Sequence, residues 1–109
     1  QVLHTYGAAL DGTDAALLQW ITDSGIAAIC ADNYAVEAYP AREKTGPRAM
    51  LPLHHHCLFK LGLPLAELWY LKDLADWLHA NGRHRFMLTA PPLRLPHAIG
   101  SPVTPIATV

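Results

Sequence analysis

Three adjacent histidines, His54, His55 and His56, sit near the start of the stretch PLHHHCLFKLGLPLAELWYL, and one carboxylate, Glu67, follows in its apolar second half. Neutral imidazole plus carboxylate is a donor set that suits Zn²⁺ or Mn²⁺ and excludes a thiolate-type structural zinc site. A carboxylate inside an apolar run is costly unless it is paired, hydrogen-bonded or bound to a cation. The competing reading is a solvated histidine run with Glu67 in a surface salt bridge. The stretch holds no H-E-x-x-H and no C-x-x-C, so spacing alone does not separate the two.

Helix geometry distinguishes the three imidazoles. A helix from about His54 to Leu61, ended by Gly62, puts His54 on one face with Cys57, Leu58 and Leu61. His55 and His56 rotate away from that face by about 100° and 200°. His54 is therefore the histidine expected to point inward, where its ring needs a partner. The positive end of the helix dipole favours a neutral ring able to ligate a metal. A short strand over LPLAEL, lying beside that helix, would return Glu67 to His54.

The elements that must hold these groups are legible in outline. In DGTDAALLQWITDSG, Asp11 or Thr13 is the expected cap, Ala16, Leu17, Trp20 and Ile21 share a face, and Gly25 closes the helix. Ile26 to Ala31 reads as a buried strand ending in Asp32-Asn33. Such a polar pair is either the lip of a ligand crevice or a turn that caps its own backbone. Tyr39 to Pro52 carries three prolines and a glycine and reads as a surface loop. Leu71, Leu74, Ala75 and Leu78 mark another amphipathic helix, closed by Asn81-Gly82. Arg85 to Ala90 is a strand broken by Pro91-Pro92, and PVTPIATV is a terminal extended segment. This order is α/β or α+β, in a single domain spanning residues 1–109.

Composition narrows the function classes. The 109 residues are 51% hydrophobic and 16% charged, with a net charge of −1. Such a chain buries a core, and it has neither the charge to grip nucleic acid nor an apolar run long enough to span a membrane. Cys30 and Cys57, both in apolar surroundings, read as small buried hydrophobes of a reducing, cytoplasmic compartment. The opening QVLHTYGAAL has no initiating methionine and no secretory pattern. No strand precedes the first helix, so a piece of a longer architecture is expected.

The run PLHHHCLFKLGLPLAELWYLKDLA resembles the cyclase family of metal-dependent hydrolases, which includes bacterial kynurenine formamidase and isatin hydrolase. The likeness rests on Pro52, His54, Leu58, Gly62, Glu67 and Leu74. FMLTAPPLRLPHAIGSPVTPIATV is similar to the closing signature of that family, with Pro96-His97-Ala98 where Pro-Gly-Ala is usual. GTDAALLQWITDSGIAAICADNYAVEAYP resembles its helix, strand and Asp-Asn turn leading to a glutamate. The likeness covers nearly the whole chain at three separated places, in order.

The resemblance implies a cyclase-like swivelling β/β/α fold, of which this chain is an incomplete C-terminal portion. It implies His54 and Glu67 as ligands of Mn²⁺ or Zn²⁺. Kynurenine formamidases space that pair one residue closer, which would select His55; alignment through Pro52 and Gly62 selects His54. The family's His-x-Gly-Thr-His-x-Asp motif, source of most of its metal ligands, is absent here, and His4 stands alone. The implied reaction is hydrolysis of a carbon–nitrogen bond in a linear or cyclic amide, with metal-bound hydroxide attacking the carbonyl. His56 is the candidate proton shuttle. Asp32 and Asn33 would orient a ligand histidine or line the pocket, and Trp69 and Tyr70 would contact an aromatic substrate or simply pack. The implied partners are a small-molecule amide and either a second copy of the chain or the missing N-terminal half. The alternative is a catalytically incomplete fragment acting as a metal-binding or interaction module.

Overall fold

The computed structural model describes residues 7–43 and 45–109, which form a small α+β structure with two two-stranded sheets. His4 lies outside the described residues. The chain gathers into two compact units, one ending at Tyr70 and the other spanning Leu71–Val109.

In the first unit, Leu10 forms a parallel bridge with Glu37 before helix α1, Ala15–Ser24. Asp14, rather than Asp11 or Thr13, caps α1: its carboxylate accepts the N–H groups of Ala16 at 2.8 Å and Leu17 at 3.3 Å. Asp11 instead closes the preceding turn, accepting from the Thr13 N–H and hydroxyl. Starting the helix at Ala15 turns Leu17, Leu18 and Ile21 toward the core and leaves Ala16 and Trp20 exposed. Gly25 ends α1 with φ 66°.

The predicted strand from Ile26 shortens to β1, Ile29–Cys30. β1 pairs in parallel with β2, Leu65–Ala66, in the register Ile29–Leu65 and Cys30–Ala66. Between them, helix α2, Pro52–His54, runs directly into a π-helical segment, His55–Leu61, closed by Gly62 at φ 66°. The wider π turn, bonded i to i+5, changes the inward face. Leu53 and Cys57 are fully buried, whereas Leu58 and Leu61, expected inside, are exposed at 49% and 39%. The core is Ile21, Val36, Leu53, Cys57 and Leu63, flanked by Leu10, Leu17, Leu18, Ile26, Ile29, Ala31 and Leu65. Burying each large aliphatic side chain contributes roughly 1.5–3 kcal/mol.

The second unit holds α3, Lys72–Ala80, and the antiparallel pair β3, Met87–Thr89, and β4, Ile106–Thr108. Their register is Met87–Thr108, Leu88–Ala107 and Thr89–Ile106. Asn81 closes α3 by donating its side-chain amide to the Trp77 carbonyl at 2.8 Å. His97 adopts a left-handed backbone with φ 66°.

Candidate functional site

The inward histidine is His54. Its position at the end of α2 brings the ring between two carboxylates, one from the loop before the helix and one from the residue just past β2. Nδ1 is 2.9 Å from Glu37 Oε1 and Nε2 is 3.0 Å from Glu67 Oε1.

Glu37 is the better buried of the two, its side chain wholly inaccessible. It accepts the Leu53 N–H on Oε2 and the His54 N–H on Oε1, both at 2.9 Å. These are open donors of a helix start, so the carboxylate does the work of a cap from a distant segment. The same two contacts neutralise the positive helix end that would otherwise favour a neutral ring. Hydrogen bonds to a charged acceptor contribute about 1.5–3 kcal/mol each, which offsets the cost of keeping Glu37 out of water.

Gly12 makes this placement possible. A Cβ there would overlap Glu37 Oε2 and stand 2.8 Å from the Leu53 nitrogen. Glu37 itself follows Val36, whose φ of 59° is unusual for a β-branched residue. The Glu37 N–H reaches back to the Ala35 carbonyl at 2.5 Å, closing a tight turn around Val36.

Glu67 arrives from β2. Alternation along an extended chain puts it on the same side as Leu65, which packs on the core. The next residue, Leu68, turns the chain away with φ 58° and donates its N–H to the Asn33 carbonyl at 3.1 Å. The Glu67 side chain is about one-third exposed and that of His54 about one-fifth.

The donors and acceptors around the ring define what it can do. Glu37 Oε1 is an acceptor, so Nδ1 carries a proton. A neutral ring then presents the Nε2 lone pair toward Glu67 Oε1, and two lone pairs facing each other at 3.0 Å repel. Something positive belongs between them: a shared proton or a cation. The arrangement carboxylate, imidazole, open nitrogen is the one that orients metal-ligating histidines. Two donors about 2.1 Å from one ion stand about 3.0 Å apart at right angles and about 3.4 Å apart at the tetrahedral angle. The His54–Glu67 separation therefore fits neighbouring ligands of a six-coordinate ion, the geometry of Mn²⁺ among oxygen-rich sites. Among the described residues, no group of three or more His, Cys, Asp or Glu side chains is arranged to hold a metal.

No protein-family model, curated protein or solved structure matches this chain. His55 lies outside the site, exposed and stacked on Phe59 with ring centroids 5.3 Å apart. His56 turns to α1, where its Nε2 meets Thr22 Oγ1 at 2.9 Å. The Thr22 hydroxyl donates to the Leu18 carbonyl, so it accepts from His56, and that nitrogen is engaged away from the His54 pair.

Asp32 is exposed, whereas Asn33 caps its own turn, the second of the two readings open from sequence. Asn33 Oδ1 accepts the Val36 N–H at 2.7 Å, and Nδ2 donates to the Val36 and Ala8 carbonyls. Trp69 is half-buried and Tyr70 exposed. Cys57 is fully buried; burial pushes its thiol up, and the Glu37 charge adds to that. Burial likewise raises the Cys30 thiol.

Glu37 is the residue that the sequence reading named only as the end of the upstream pattern. Its one signal was position: an acidic residue four places past a turn-forming Asn, inside AVEAYP.

Proposed function

We propose that this chain contributes His54 and Glu67 as two ligands of a divalent metal, Mn²⁺ or Zn²⁺, in a hydrolase of carbon–nitrogen bonds in linear or cyclic amides. The single observation carrying this reading is the imidazole held on one side by a buried carboxylate and facing a second carboxylate 3.0 Å from Nε2. The resemblance to the cyclase family supplies the reaction class and the swivelling β/β/α fold as part of the same proposal.

The residues divide the work. Glu37 fixes the Nδ1–H tautomer and the ring plane, and its charge makes Nε2 a better donor. Glu67 brings negative charge, so the pair attracts a cation rather than an anion. A bound divalent ion would supply Lewis acidity, polarising an amide carbonyl and acidifying water. Further ligands come from outside the described residues, from another segment or another chain. Trp69 and Tyr70, two and three residues beyond Glu67, offer aromatic surface to a substrate ring.

Calorimetric titration of the purified chain with Mn²⁺ and Zn²⁺ tests the ligand pair. His54→Ala and Glu67→Ala each abolish binding, while His55→Ala leaves it intact. Amide hydrolysis appears only when a segment bearing a His-x-Gly-Thr-His-x-Asp motif is supplied. Loss of the ion in His55→Ala but not in His54→Ala would move the ligand by one residue.

A second reading follows from the lack of a third donor among the described residues. There, a proton takes the place of the ion, and an imidazolium bridges Glu37 and Glu67 as a structural clasp in an interaction module. A wild-type chain that takes up neither ion in the same titration favours this clasp.

A further inference from the structure

Both carboxylates of the site sit next to a residue in the left-handed region. Val36, φ 59°, precedes Glu37, and Leu68, φ 58°, follows Glu67. Neither is glycine, so each conformation costs on the order of 1–2 kcal/mol and persists only where the surroundings over-determine it. One residue touches both. The Asn33 side chain grips the N–H and the carbonyl of Val36, at 2.7 Å and 3.2 Å, and its own carbonyl accepts the Leu68 N–H at 3.1 Å. The Val36 carbonyl takes a further bond from the Leu10 N–H at 3.1 Å.

We infer that Asn33 is a positioning residue for the His54 site: it holds Val36 left-handed and thereby sets the Glu37 carboxylate that orients the imidazole. Asparagine suits the role because its amide offers an acceptor and donors on one short side chain. Released from that grip, Val36 relaxes to negative φ, and the direction of the Glu37 side chain changes with it. The His54 ring then loses its Nδ1 partner, and Nε2 no longer holds its aim at Glu67. The functional consequence rests on the proposed role of His54 as a metal ligand; the positioning itself does not.

The test is read first without any ion. In a metal-stripped chain labelled with ¹⁵N-histidine, the buried Nδ1–H···Glu37 bond gives a slowly exchanging imidazole N–H resonance. Asn33→Ala loses it. Adding Val36→Gly restores it, because glycine takes positive φ without strain. The double variant stays less stable than wild type, since a buried valine is gone. Restoration of the resonance without restoration of stability separates positioning from general support of the fold. Retention of the resonance in Asn33→Ala overturns the inference. So does a folded double variant that lacks it. Should Asn33→Ala not fold, the double variant decides alone: folded with the resonance it supports the inference, and in any other state it overturns it.

Titration with Mn²⁺ then gives a dissociation constant raised roughly tenfold in Asn33→Ala and recovered in the double variant. A wild-type chain that binds no Mn²⁺ ends the metal reading but leaves the resonance result standing.

Discussion

The Glu37 carboxylate lies directly over Gly12, in a space that no other residue type leaves open. The consequence is measurable at a position remote in sequence from the histidines. Gly12→Ala pushes the carboxylate off the Leu53 and His54 N–H groups and should destabilise the chain by about 1–3 kcal/mol. Urea unfolding checks the magnitude. An unchanged midpoint would mean that Glu37 adapts without loss.

Glu37→Gln keeps the size of the side chain and removes its charge. One of the two oxygens becomes an amide N–H₂ facing a backbone donor, so a bond to Leu53 or His54 is replaced by repulsion. We expect a loss of about 2–4 kcal/mol, larger than for Glu67→Gln, whose side chain is partly solvated. Equal costs for the two variants in parallel denaturant titrations would contradict this ordering.

Cys57 links the site to alkaline pH. Its thiol is raised in the folded chain, by burial first and by Glu37 second. The unfolded thiol titrates near about 8.5, so the stabilisation from the neutral form is complete below that pH. It is lost as pH rises through the higher folded value. Unfolding free energy should fall above about pH 8.5, and Cys57→Ala should flatten that decline while lowering stability at neutral pH. Iodoacetamide should label half-buried Cys30 faster than Cys57 in the native chain. Equal rates would point to an opening of the core around Leu53.

His97 occupies a left-handed position with an exposed side chain. His97→Gly relieves the crowding of Cβ at that φ, and we expect a gain of up to about 1 kcal/mol despite the greater freedom of the unfolded glycine. Thermal unfolding followed by circular dichroism reads it as a small rise in Tm. A fall would show that the imidazole itself carries an interaction worth more than the strain.

Much of this is legible in the sequence. An apolar run containing one glutamate, behind a helix opening on histidine, marks two groups that could meet, with a solvated histidine run and a surface salt bridge as the open alternative. Helix periodicity picks His54 from its neighbours, and the short strand expected over LPLAEL returns Glu67, one residue past β2, to it. The ends of α1 and α3 followed from Gly25 and from Asn81-Gly82 for the usual conformational reasons. Glu37 was not legible as a partner of the ring. Its carboxylate reaches His54 only through a left-handed valine and across a glycine, and neither has a local signature. The true α1 cap was missed because Asp11, Thr13 and Asp14 all have capping chemistry, and only packing decides among them. Leu58 and Leu61 were placed inside because apolar spacing was counted at 3.6 residues per turn, a period that the π segment does not keep.

That segment bears on the distance between the paired groups along the chain. His54 and Glu67 are thirteen residues apart. Winding i to i+5 takes up extra chain for the same angular sweep, so His55–Leu61 stores slack downstream of the imidazole and upstream of β2. Removing one residue from this coil would let it tighten into ordinary α-helix while both ends of the pair kept their seats. Counting positions along the polypeptide is thus a poor ruler here, and the neighbour that looks equally eligible by arithmetic, His55, is left facing outward.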